Sequence, residues 1–135
     1  MHVSKQSILT SSITGDWIVL KRAAMFGELN GELLEVHITD AGGSTDKGFA
    51  LYRGTTTVGN RVMRISLPAT EVTYRPRKAL SQDSTAGGIS VSSTAEGRVP
   101  WVFANEKPIV MMSTAKHITV TLYVNGIFNT TGSTG

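Results

Sequence analysis

The 135-residue chain contains no cysteine. Disulfides, thiolate metal ligands and thiol nucleophiles are therefore excluded. No apolar run approaches the roughly 18 residues that a membrane-spanning helix needs. Residues 1–15 lack the apolar stretch of a secretory signal, so none is expected. The three histidines, His2, His37 and His117, form no pair at metal-ligand spacing. A Gly-x-Ser-x-Gly nucleophile turn is missing. Gly42-Gly43 and Gly87-Gly88 are not followed by the lysine-bearing helix of a phosphate loop. These absences leave no sequence basis for an enzyme, a cofactor or a metal site, and a non-enzymatic protein is expected.

What is abundant is turn and strand material. There are 14 glycines, thirteen serines and seventeen threonines. Threonine favours strands, whereas serine and glycine favour turns. Leu34, Val36 and Ile38 alternate with Glu35, His37 and Thr39. Ile118, Val120, Leu122 and Val124 alternate with Thr119, Thr121 and Tyr123. Both patterns have the period of a half-buried strand. Shorter strands are expected at 49–53, 62–67, 72–75 and 89–91. Asn30-Gly31, Gly59-Asn60 and Asn125-Gly126 read as two-residue hairpin turns. Around Asp16 the signals conflict. Asp16 can cap a helix through Lys21 to Met25, but Trp17-Ile18-Val19-Leu20 is aromatic and β-branched, so a strand leading into the Asn30-Gly31 turn is preferred. The segment 77–88 reads as a loop of about a dozen residues, long for a compact domain. The expected fold is all-β: a single antiparallel sandwich or barrel of eight to ten short strands over residues 16–128. An extended N-terminal arm (1–15) precedes it and a fraying tail (129–135) follows.

Two runs, 99–103 and 109–112, are apolar without alternation and flank Asn105-Glu106-Lys107, so a hairpin between them is expected. A strand apolar on both faces is buried on both. Trp101, Phe103, Val110 and Met112 are therefore candidates for a contact with a second copy, or for a central strand covered by the arm.

Charge is uneven. The formal net charge is only +3. Yet residues 61–80 carry Arg61, Arg64, Arg75, Arg77 and Lys78 against Glu71 alone, and residues 28–46 carry five carboxylates and no base. Arg75, Arg77 and Lys78 on one side, with Glu32 and Glu35 on the other, can join copies head to tail. By simple alternation Glu32 and Glu35 fall on opposite faces of their strand. The basic segment also suggests a nucleic-acid surface, although 7% aromatic residues is thin for base stacking. A glycan-binding sandwich, using Trp17, Trp101 and Tyr123, is a third reading.

The polar segment 1–15, the Thr/Gly-rich β body, the lack of cysteine and the Thr/Ser/Gly end 129–135 together resemble small virion proteins of tailed bacteriophages, the capsid decoration or cement and tail accessory proteins. That resemblance covers the whole chain in style and rests on no motif. It implies a structural, homo-oligomeric protein, often trimeric, held on a capsid or tail protein of the virion. It implies production in the host cytoplasm and no membrane partner, and it assigns no residue.

Overall fold

The structure is a computed structural model that describes residues 2–13, 19–40, 47–67, 71–76, 90–91, 101–113 and 117–134. The expectations for Trp17 and Ile18, for the loop at 77–88, and for Arg77 and Lys78 lie outside these residues. Among the described residues the regular elements are eleven strands and one short 3-10 turn (Val58–Asn60). The strands are β1 (Val3–Leu9), β2 (Lys21–Met25), β3 (Leu29–Asp40), β4 (Lys47–Arg53), β5 (Arg61–Leu67), β6 (Val72–Tyr74), β7 (Ser90–Val91), β8 (Val102–Glu106), β9 (Pro108–Met112), β10 (Ile118–Phe128) and β11 (Ser133–Thr134).

They form two antiparallel sheets. The first runs β1-β10-β3-β6, with β8 also paired to β3, and the second runs β11-β2-β9-β4-β5-β7. Leu29, Leu33, Val36 and Ile38 of β3 are fully buried between the sheets with Ile118, Val120, Leu122 and Val124 of β10. Ala24, Phe49, Leu51, Met63, Val110 and Met112 meet them from the second sheet. Each large apolar side chain in this layer contributes about 1.5–3 kcal/mol relative to exposure.

The N-terminal segment does not project as an arm. Val3 to Leu9 pairs residue for residue with β10, from Val3 opposite Asn125 to Leu9 opposite Thr119. The tail is likewise fixed. Ser133 and Thr134 pair with Met25 and Ala24. The Gln6 side chain donates to the Thr130 carbonyl at 3.0 Å and accepts from the Gly27 amide at 2.7 Å.

The two Asn-Gly dipeptides are not turns. Gly31 lies within β3 and Gly126 within β10, directly opposite each other. Their φ angles are +152° and +155°, a region open essentially to glycine alone. A Cβ on Gly126 would lie 2.2 Å from the Asn30 carbonyl oxygen, and one on Gly31 would lie 2.4 Å from that of Asn125. Glycine serves here to let two long strands approach, not to reverse the chain.

A bulge next to this pair changes the phase of β3. Tyr123 faces Glu35 while Val124 faces Leu33, so Leu34 is the extra residue. One added residue moves every later side chain to the other face. Leu33, rather than Leu34, is therefore fully buried.

The expected β8–β9 hairpin is also absent. β8 pairs with β3 in the first sheet, and β9 lies between β2 and β4 in the second. The chain crosses from one sheet to the other at Lys107. It makes a second crossing at residues 26–28, and the Phe26 amide donates to the Pro108 carbonyl at 2.8 Å. Asn105 is the extra residue of another bulge, because Leu29 pairs with Glu106 and Asn30 with Ala104. Its φ is +55°, which asparagine tolerates better than branched residues. Asn105→Val should cost about 1–2 kcal/mol in denaturant unfolding, with Asn105→Gly close to neutral. Equal losses for both would mean that the side chain, not the backbone, matters there.

Candidate functional site

The register fixes what each outer surface presents. On the first sheet Lys5, Tyr123 and Glu35 form a row across β1, β10 and β3. Arg75 closes that row, its Nε donating to Glu35 Oε1 at 2.9 Å. The next row is Ser7, Thr121, His37 and Thr73. The hydroxyls of Ser7 and Thr121 are 2.7 Å apart, and His37 Nε2 meets Glu71 Oε1 at 2.6 Å. The Leu34 bulge places Glu32 and Glu35 on the same outer face, contrary to the alternation expected of an unbroken strand. This face thus carries Glu32, Glu35 and Glu71 with Lys5 and Arg75.

The outer face of the second sheet differs. Met25, Ile109, Tyr52 and Arg61 form one row; Arg22, Met111, Ala50 and Arg64 form the other. Ala50, Tyr52 and Ile109 are buried as a separate apolar cluster, with Leu20, Met25 and Met111 packed on it. Among the described residues of these rows the charges are Arg22, Arg61 and Arg64, all positive.

These placements revise the proposed contact residues. Phe103, Val110 and Met112 are buried in the domain's own core and offer no surface. Trp101 is half-buried against that core, and its carbonyl accepts the Leu33 amide at 2.8 Å. The run 109–112 lacks alternation because β9 is a central strand with core on one face and the second cluster on the other. The basic segment is not one surface. Arg61 and Arg64 lie outside the second sheet, whereas Arg75 lies on the first, joined to Glu35 of the same chain. Arg22 and Met25 were missed as surface residues because the helix and strand signals of their segment conflict.

The histidines stay apart. His37 faces outward as its alternation suggests, and His117 Nδ1 contacts the Thr10 carbonyl. Among the described residues no group of three His, Asp or Glu side chains is placed to hold a metal ion. Burial against the core pushes the Tyr74 phenol above its ordinary pKa.

One further ionic pair lies inside. The Arg53 side chain is fully buried; its Nε is 3.6 Å from Glu106 Oε2 and its Nη1 donates to the Val102 carbonyl at 3.4 Å. It ties the end of β4 to β8 across the two sheets.

No family model, curated protein or solved structure matches the chain. The fold and its surfaces define a class: an antiparallel two-sheet β domain whose opposite outer faces differ in charge.

Proposed function

We propose that the chain is a non-enzymatic structural protein that assembles with copies of itself on the capsid or tail lattice of a virus or phage particle. One observation carries the self-assembly: the basic, apolar-centred face around Arg22, Arg61 and Arg64 lies on the opposite sheet from the face bearing Glu32, Glu35 and Glu71. The first face sets three carboxylates against Lys5 and Arg75, whereas the charges in the described rows of the second are arginines. Two faces that differ in charge on opposite sides of one body favour front-to-back contacts between copies, which generate rings or filaments. Many copies on a symmetric particle convert weak contacts into firm attachment.

A nucleic-acid surface has less support. It needed the segment 61–78 on one side of the molecule, and Arg64 and Arg75 belong to different sheets. The aromatic at the centre of the basic face, Tyr52, is buried, so among the described residues of its rows no ring is open for base stacking.

Arg61→Glu combined with Arg64→Glu should reduce the assembled mass measured by light scattering at low salt, and should leave monomer folding intact by circular dichroism. The wild-type assembly should loosen as salt rises past the point where the Debye length falls below about 10 Å. Unchanged assembly in the double variant would remove the front-to-back contact. Quantitative mass spectrometry of purified particles should find many copies per particle; its absence from them would remove the virion role.

A further inference from the structure

Strand β1 is an edge with one side unused. It bonds to β10 through its even residues, as the flanking bonds from Gly126 N to the His2 carbonyl and from Thr10 N to the Ile118 carbonyl establish. The N–H and C=O groups of Val3, Lys5, Ser7 and Leu9 therefore point away from the sheet. Among the described residues the one hydrogen bond onto that edge is from the Thr134 hydroxyl to the Leu9 carbonyl. The same four side chains are exposed on the outer face, Val3 at 55% and Leu9 at 50%. Such an edge is a template for another strand.

We propose that β1 pairs antiparallel with β1 of a second copy about a two-fold axis at Gln6, joining two first sheets into one. This deepens the self-assembly reading above and adds a second, isologous contact to it. The occupant follows from the sequence of the edge. Outward-bonding residues must oppose outward-bonding residues, so three central registers compete. Centring on Lys5 places the two lysines opposite each other, and like charges directly across a ladder are unfavourable. Centring on Ser7 places Lys5 opposite Leu9 and leaves Val3 beyond the ladder. Centring on Gln6 pairs Val3 with Leu9 of the partner subunit and Lys5 with Ser7 of the partner subunit, twice over by symmetry. Only this register covers both exposed apolar residues while separating the lysines. Lys5, a residue that usually guards an edge, here acts as a selector of register.

Three variants of the full chain test it by sedimentation over a range of concentrations. Lys5→Pro removes an amide that points to the open edge and leaves the β10 ladder in place; it should abolish the two-fold dimer while the domain stays folded. Ser7→Glu sets a carboxylate opposite each partner lysine and should tighten the dimer roughly fivefold. Ser7→Lys should weaken it by a similar factor. Because the chain has no cysteine, Val3→Cys with Leu9→Cys gives a unique probe. A short thiol cross-linker should join the double variant into covalent dimers and leave either single variant monomeric. A chain that stays monomeric at high concentration, a dimer indifferent to Lys5→Pro, or cross-linking of the single variants would each overturn the proposal. The tests separate from those of the front-to-back contact. Loss of assembly in the Arg61/Arg64 variant with a retained, Lys5→Pro-sensitive dimer supports the edge pairing. Particle attachment unaltered by Lys5→Pro, with no two-fold dimer in solution, keeps the structural role and overturns the pairing.

Discussion

Replacing Gly126 by alanine should lower the stability of the domain by on the order of 4 kcal/mol, read as a shift of the denaturant midpoint at constant slope. Two costs combine. The backbone at Gly126 has a φ of +155°, where a Cβ is strained by about 1–3 kcal/mol. The added methyl would also lie 2.2 Å from the Asn30 carbonyl oxygen and 2.7 Å from the Gly31 Cα, so β3 and β10 must separate at their closest point. Those are backbone atoms in the longest ladder of the first sheet and cannot swing aside as a side chain can. Gly31→Ala should cost a similar amount. The double variant should cost less than the sum, because the space opened by one methyl receives the other. A loss below about 1 kcal/mol for either single variant would mean that the strands do not touch there. Marginal domains have only about 5–15 kcal/mol in total, so growth at raised temperature should expose these variants first.

Glu106→Ala should be nearly as damaging, at about 3–5 kcal/mol. The carboxylate is largely enclosed and forms an ion pair with the fully buried Arg53 guanidinium. Its other oxygen accepts the Ala104 amide at 3.0 Å, so the same truncation also frees a backbone donor at the Asn105 bulge. Arg53 cannot give up its proton to escape, since a guanidinium stays charged in proteins. The buried guanidinium then loses this counter-charge between the sheets. Removing both partners tells a different story. Arg53→Met with Glu106→Leu replaces an ion pair by apolar groups of similar reach, a change that is often neutral. A double-mutant cycle should return a large coupling between the positions. If the paired replacement were as damaging as Glu106→Ala alone, the role of Arg53 would lie in its bond to the Val102 carbonyl rather than in the ion pair.

Much of the architecture was legible in the chain, because alternation reports directly on which side of a strand meets the core. The patterns at Val36/Ile38 and Ile118–Val124 gave β3 and β10, and the absence of helical periodicity gave the all-β class. The failures share one physical origin: the deciding contact is remote in sequence. Asn-Gly is a hairpin signal when nothing else constrains it, yet Gly31 and Gly126 each exist for the other, 95 residues away in the chain. The Leu34 bulge cannot be read from local composition, so the phase of Leu33 and the shared face of Glu32 and Glu35 were lost. β1 looked like an arm because, of the residues it turns inward, Ser4, Gln6 and Ile8, only Ile8 is apolar. The basic segment looked continuous because β5 and β6 are neighbours in sequence but members of different sheets. Val110 and Met112 looked like surplus grease because one-dimensional counting does not tell a strand at a sheet's centre from one at a boundary.

The paired crossings at residues 26–28 and at Lys107 have a mechanical consequence. Both connections leave one sheet and enter the other side by side, stitched by the Phe26–Pro108 hydrogen bond. They act as the spine of a book. Sliding one cover over the other would tear that stitch, so the sheets resist shear along this side. Tension applied along the strands would load this spine directly.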